Sequence, residues 1–189
     1  TPAWIISQAN TIAQLRGWTP FIGLQIEYSL IERTPERDLL PMARAFDIGV
    51  TAWSPLGAGV LTGKYNQPEP VEGRLSNPDT SRPVTEKQLT IAQTVVDIVN
   101  EIGRLPAQVA LNWIRQQPDG VIPIIGSRKL KQIQENIASL EFELTPEQLQ
   151  RLNEVSVIEL GFPHDFLQSN MVQNFAFGGV ISQLERRAR

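Results

Sequence analysis

Apolar residues at Ile5, Ile6, Ala9, Ile12, Ala13 and Leu15 recur at helical spacing, and Pro2 stands where a first helical turn tolerates proline. The spacing predicts a helix ending near Gly17. Residues 21–28 are few and alternate, which predicts a strand. An amphipathic helix is expected over residues 36–46, closed near Asp47 and Gly49, and then a buried strand over residues 50–53. Between Pro55 and Pro83 the glycines, prolines and polar residues follow neither period, so residues 55–84 read as one long loop. Loops of that length in compact domains are usually functional or disordered, and its place after a strand makes it a candidate cover for a ligand.

Thr85 has the character of an N-cap, and Leu89, Ala92, Val95, Val96, Ile98, Val99 and Ile102 predict a helix stopping at Gly103. Residues 106–117 form another, broken by Pro118. Residues 121–125 are apolar throughout, the pattern of a central parallel strand, and residues 130–140 return to helical spacing. Thr145, Pro146 and Glu147 open a last helix, with Thr145 and Gln148 spaced as a capping box. Beyond Gly161 the chain reads as an irregular tail, residues 161–189, rich in Phe.

Helices alternating with short apolar strands predict parallel pairing through crossover helices. The strands expected, residues 22–27, 50–54 and 121–125, are too few to close a barrel and would leave two edges exposed. Either the sheet is a small open one or the chain is part of something larger.

Composition narrows the function. The chain has 189 residues, 41% hydrophobic and 20% charged, as in ordinary soluble globular proteins. A net charge of -3, with basic residues scattered except for Arg128, Lys129 and Lys131, shows no nucleic-acid footprint. The absence of cysteine excludes disulfides, thiol catalysis and thiolate metal sites, and fits a reducing cytoplasm. His164, the one histidine, argues against a protein-built zinc site. Apolar runs are too short to span a bilayer and no charged-then-apolar leader opens the chain, so no membrane span is expected. The chain begins at Thr1, directly in helix-like sequence, which leads us to expect residues upstream.

Three segments carry further chemistry. Gln25-Ile26-Glu27-Tyr28-Ser29-Leu30, with Arg33 and then Leu39-Leu40-Pro41-Met42-Ala43, resembles the sixth strand and following helix of the aldo-keto reductases. Residues 53–65, Trp-Ser-Pro-Leu-Gly-Ala-Gly-Val-Leu-Thr-Gly-Lys-Tyr, are similar to that family's seventh-strand segment. Ile125-Gly126-Ser127-Arg128, with Gln132, Glu135 and Asn136, resembles its eighth strand and helix. The resemblance covers nearly the whole chain, weakening after about residue 165. It implies an α/β fold, the C-terminal half of a (β/α)8 barrel contributing strands six to eight, with NADP(H) bound at the carboxyl ends of the strands. The Asp, Tyr, Lys and His tetrad of the family would then lie outside this chain, leaving no catalytic residue here. Tyr28 and Tyr65, the only tyrosines, fall in other family segments.

The residues themselves leave alternatives open. Gln25, in an otherwise apolar strand, must find partners internally or on a ligand; the resemblance implies the nicotinamide carboxamide. Trp53 ends a strand and could be a core anchor; the resemblance implies stacking on the nicotinamide ring, with Ser54, Pro55 and Leu56 lining the cofactor toward its phosphates. Gly57, Gly59 and Gly63 permit tight backbone geometry. Lys64 and Arg74 are surface cations or, by resemblance, reach the pyrophosphate. Gly126, Ser127 and Arg128 lead into a helix N-terminus, where amide hydrogens and the dipole favour an anion, and Arg128 adds a fork suited to phosphate. Gln132, Glu135 and Asn136 lie at i, i+3 and i+4 on one helix face that could touch adenine and ribose. His164 reads as a tail residue. The implied function is reduction of a small-molecule carbonyl by NADPH once the missing N-terminal half-barrel is present. A regulatory protein resembling potassium-channel beta subunits and a nucleotide-binding half barrel remain as alternatives.

Overall fold

The computed structural model describes residues 1–67, 83–118 and 120–183. The chain divides into two units, Thr1–Val157 and Ile158–Arg189. The first is built on three parallel strands, β1 (Gly23–Glu27), β2 (Gly49–Trp53) and β3 (Ile122–Pro123), in the order β1-β2-β3. Its helices are α1 (Ala3–Arg16), α2 (Leu39–Ala45), α3 (Glu86–Ile102), α4 (Pro106–Arg115), α5 (Leu130–Ile137) and α6 (Pro146–Ser156). The second unit holds α7 (His164–Gln168) and α8 (Asn170–Phe177).

Alternation decides which face of the sheet is covered. In β1 Ile26 is buried while Gly23 and Gln25 are exposed; in β2 Val50 and Ala52 are buried while Gly49 and Trp53 are exposed. Pairing runs from Gly23 with Gly49 to Glu27 with Trp53, so the exposed positions fall on one face. β3 adds Ile122, 62% exposed, and Ile124 just past it is 40% exposed. The strand expected over residues 121–125 forms only at Ile122–Pro123 and lies at the edge of the sheet, not its centre, and β2 is half covered rather than fully buried. Parallel sheets are normally covered on both faces; among the described residues this one is covered on one.

Helix α4 explains much of the covered side. Residues 108–114 are all buried, as expected of a helix with protein on every side. Its polar members serve α5 and the chain after it: the Gln108 amide donates to the Glu135 carbonyl, and Asn112 Nδ2 donates to the carbonyls of Ser139 and Phe142, at 3.0 and 2.6 Å. Trp113 is fully buried, donates to Asn153 Oδ1 at 2.9 Å and lies 5.5 Å from the Tyr28 ring. Helix α3 opens on the expected N-cap, Thr85, which the structure joins to Gln88 in a capping box; it buries Ile91, Val95 and Ile98 at helical spacing and ends at Gly103 in the left-handed conformation. Helix α6 opens the same way on Thr145 and Gln148. There the Glu147 carboxylate accepts from its own backbone N–H and from Thr145, which holds its carboxyl below the usual range. Those bonds favour the folded state above the ordinary carboxylate pKa and are lost as pH falls through the depressed one.

Several expectations are corrected. Helix α2 begins at Leu39, not residue 36, because Thr34–Glu36 forms a separate 3-10 turn whose Glu36 is held by Arg33 and Tyr28. In α1 the buried face is Ala3, Ile6, Asn10 and Ala13, leaving Ile5, Ile12 and Leu15 exposed. Asn10 is buried because its amide bonds both the N–H and the carbonyl of Phe21, at 2.9 and 3.0 Å. The tail is not irregular: α7 and α8 form within it, α8 capped by the Ser169 hydroxyl, which accepts from the Val172 N–H. The expected loop 55–84 begins with two 3-10 segments, Gly57–Thr62 and Lys64–Asn66; residues 68–82 lie outside the described residues.

Trp113→Ala should lower unfolding free energy by about 3–5 kcal/mol, the scale for truncating a buried aromatic. Urea denaturation measures it, and a loss below about 1 kcal/mol would contradict this account of the core.

Candidate functional site

Because the strands are parallel, their carboxyl ends lie along one border of the sheet, and the segments leaving them carry most of the residues singled out above. Gln25 pairs with Thr51 in register, and Trp53 lies two residues further along β2 on the same exposed face. The Gln25 amide has no hydrogen-bond partner among the described residues, so the internal bond considered for it is not made. Trp53 is 44% exposed, too open for a core anchor.

After Trp53 the backbone turns left-handed repeatedly. Ser54 has φ 53°, Gly57 54°, Ala58 55°, Gly59 94° and Gly63 74°. Ser54 and Ala58 bear the cost that L-residues meet in this region. Pro55 and Gly57 are buried, while Ser54 and Leu56 are half-buried. The turn is closed by the Gly57 N–H donating to the Ser54 carbonyl and the Gly59 N–H to the Leu56 carbonyl, at 2.9 and 3.0 Å. At Gly59 the missing side chain has a use: a Cβ there would stand 3.2 Å from Lys64 Cε and 3.4 Å from Nζ. Lys64 thus folds back over the turn, its ammonium 4.9 Å from the Tyr65 ring. This is a compact cradle with one cation above it. Gly63 rests on α3, where an added Cβ would fall 2.5 Å from Val96 Cγ2. Arg74 lies outside the described residues.

At the end of β3 the Ile124 N–H still donates to the Ala52 carbonyl, at 2.8 Å, which keeps the strand in register up to the turn. Gly126, Ser127 and Arg128 are exposed, and the Arg128 guanidinium makes no hydrogen bond or ion pair among the described residues. The backbone N–H groups of Arg128 and Lys129 are taken internally, donating to Gln132 Oε1 at 3.0 and 3.2 Å. Gln132 therefore caps its own helix. Glu135 is 3.7 Å from Lys131 Nζ. Asn136 is buried in a cleft of about 390 Å3 between α4, β3 and α5, beside Leu111, Ile125 and Leu140. So the structure brings Gln25 and Trp53 together on the open face, sets Lys64 over the turn that follows, and leaves Arg128 free at the third strand's exit. Gln132, Glu135 and Asn136 have three different surroundings rather than one shared exposed face.

The reading of residues alone missed the side chains against which the glycines sit, Ile31 and Val96. Ordinary apolar residues give no signal in a sequence that a glycine elsewhere needs them. His164 begins α7 in the second unit and is partly exposed. Among the described residues no group of three or more His, Cys, Asp or Glu could hold a metal, and no helix is long and apolar enough to cross a membrane.

This arrangement coincides with a match of the Aldo/keto reductase family profile to residues 1–157. The chain belongs to the aldo-keto reductase family. It is 32% identical over 174 residues to a Saccharomyces cerevisiae protein named as an aryl-alcohol dehydrogenase, covering 88% of this chain and 52% of that one. It is 31% identical over 173 residues to an NADP(+) aryl-alcohol dehydrogenase of Phanerodontia chrysosporium, covering 87% of this chain and 44% of that protein. A Schizosaccharomyces pombe protein named for a voltage-gated potassium channel subunit beta is 36% identical over 162 residues, covering 81% and 47%. The chain spans about half the length of the curated relatives it matches. An α/β unit with three parallel strands in an open sheet fits part of the family's barrel.

Gly63→Ala should destabilise the chain by about 2 kcal/mol or more, combining left-handed strain with overlap on a β-branched side chain that has little freedom to turn away. Adding Val96→Ala should return part of the loss in urea denaturation, and an unchanged midpoint for the single variant would contradict the contact.

Proposed function

We propose that Thr1–Val157 is the NADP(H)-holding, C-terminal part of an aldo-keto reductase barrel, supplying strands six to eight, and that the complete protein reduces a small-molecule aldehyde or ketone. The observation that carries the reading is the open sheet face, where an unpartnered amide, Gln25, stands beside a half-exposed Trp53 at the carboxyl border. The family match and the NADP(+) named for one relative support it.

In this reading Gln25 would hold the nicotinamide carboxamide and Trp53 would stack on its ring, fixing the face presented to substrate. Ser54, Pro55 and Leu56 would line the path toward the phosphates, and Lys64 would meet the pyrophosphate. Gly126, Ser127 and Arg128 would take the adenosine end, with Gln132, Glu135 and Asn136 on the helix behind. Residues 55–84 would cover the cofactor and residues 161–189 would form a tail. NADPH, when bound, supplies the hydride. The chain's own residues bind it, orient it and stack against it. A proton must also reach the carbonyl oxygen, and Tyr28 is poorly placed to give one: it is buried, its hydroxyl donating to Glu36 Oε1 at 2.7 Å. The donor and its partners would belong to the rest of the complete barrel. The likeness to a potassium channel beta subunit favours a second reading, in which the same residues bind the nucleotide and a partner protein reads the bound state.

Two outcomes test the proposal. The purified chain should oxidise no NADPH with aromatic aldehydes, because general acid catalysis and orientation supply several orders of magnitude in rate; turnover that Trp53→Ala abolishes would overturn this. In the complete barrel, Arg128→Ala should weaken NADPH more than NADH by roughly 1.5 to 3 kcal/mol, the worth of a hydrogen bond to a charged group. That is about ten- to hundredfold in affinity, with the lower figure expected if Lys129 or Lys131 reaches the same phosphate. Fluorescence titration of both nucleotides reads it, and equal losses would remove Arg128 from 2′-phosphate recognition.

A further inference from the structure

The short turn after β1 is held more firmly than a connection requires. Ser29 and Glu32 exchange backbone hydrogen bonds at 3.0 and 3.1 Å, closing a tight bend with Leu30 and Ile31 at its tip, and the Ile31 N–H donates to Ser29 Oγ at 3.3 Å. Arg33 then fixes the bend to its surroundings. Its guanidinium grips both oxygens of Glu36, at 2.7 and 3.0 Å, donates to the Asn153 carbonyl and the Ser156 hydroxyl of α6, at 3.1 and 2.7 Å, and lies 5.4 Å over the Trp113 ring. The Tyr28 hydroxyl donates to the same Glu36 Oε1 that Arg33 Nε holds. Ile31 is therefore mounted on a base that cannot easily give.

What Ile31 touches is the turn after β2. A Cβ built on Gly57 would overlap Ile31 Cδ1 and stand 2.8 Å from Cγ1. Two constraints meet at Gly57: its φ of 54° lies in the left-handed region, where the neighbouring Ala58, at 55°, bears the cost of a side chain, and Ile31 approaches it closely. The Gly57 N–H donates to the Ser54 carbonyl, so a shift at Gly57 is passed directly to the residue after Trp53.

We propose that Ile31 is a positioning residue for the cofactor segment: seated on Gly57 and mounted on the Arg33 clamp, it sets where residues 53–64 stand. The proposal rests on reading that segment as part of the NADP(H) site. The geometry makes Ile31 a spacer between a fixed turn and a left-handed one.

A double-mutant cycle on this chain tests it, with Gly57→Ala, Ile31→Ala and both together. Three readouts are taken: backbone amide exchange over residues 53–64, NADPH affinity by fluorescence, and the urea midpoint. Gly57→Ala should speed exchange in that segment and weaken NADPH roughly tenfold, within the range of coupling between residues in contact. Adding Ile31→Ala should restore both toward wild type, while the urea midpoint stays at or below that of Gly57→Ala, since truncating Ile31 also removes apolar contact. Recovery of binding without recovery of stability is what a positioning role predicts and a merely structural one does not. A double variant that exchanges as fast as Gly57→Ala, or a Gly57→Ala variant unchanged in exchange, would overturn the proposal. If the wild-type chain binds no NADPH, the cofactor reading fails for this chain, and the exchange cycle still decides whether Ile31 sets the segment.

Discussion

Everything in the first unit depends on the register of β1 on β2. Five paired positions, Gly23 with Gly49 through Glu27 with Trp53, lock the alternation of the two strands together. With side chains alternating at a period of two, that lock sends Ile26, Val50 and Ala52 into the helical layer and Gln25 and Trp53 to the opposite face. A slip of β1 by one residue would turn Gln25 toward the helices and Ile26 toward the open face. The burial that stabilises the sheet is therefore the same event that presents the candidate site.

The turn after β2 uses a different principle. Few of its backbone groups pair with the sheet, and its shape comes from left-handed residues seated on neighbours that were folded for other reasons. Gly63 sits on Val96 of the capped helix α3, and Gly57 sits on Ile31. Lys64 then occupies the space above Gly59. Arg33 is the cation that works structurally: pinned by Glu36 and α6 and stacked on Trp113, it is not available to a ligand. Arg128 is the opposite case: its guanidinium has no partner among the described residues, while the backbone N–H groups of Arg128 and Lys129 beside it are taken by Gln132.

Much of this was legible in the sequence for identifiable reasons. Helix α3 announced itself through Thr85 and the terminal Gly103, because capping is local chemistry. All three strands were found, since short apolar runs between helices leave few other choices. The role of residues 121–125 was misjudged, because a wholly apolar run cannot distinguish a central strand from an edge whose outward face, Ile122 and Ile124, is uncovered. The start of α2 was missed because Glu36 is drawn away by Arg33, a tertiary bond with no local signature. On the site, the residues alone do not give the exposure of Gln25 and Trp53, since an amide in an apolar strand calls equally for an internal partner or a ligand and a Trp at a strand end fits a core anchor as well. Nor do they give the self-capping of Gln132 and the burial of Asn136, since spacing places side chains on a helix face but cannot say which of them the helix start or a neighbouring helix will claim.

The central claim is that the open face and the two segments leaving it form a nucleotide site. Titrating NADPH into 15N-labelled chain and following amide and indole resonances tests it most directly. The account predicts that the Trp53 indole, the Gln25 side-chain amide and the backbone of Gly59 and Arg128 shift together, with one affinity. Shifts confined to the cleft beside Asn136 or to residues 158–183, with Trp53 and Gln25 unmoved, would contradict it.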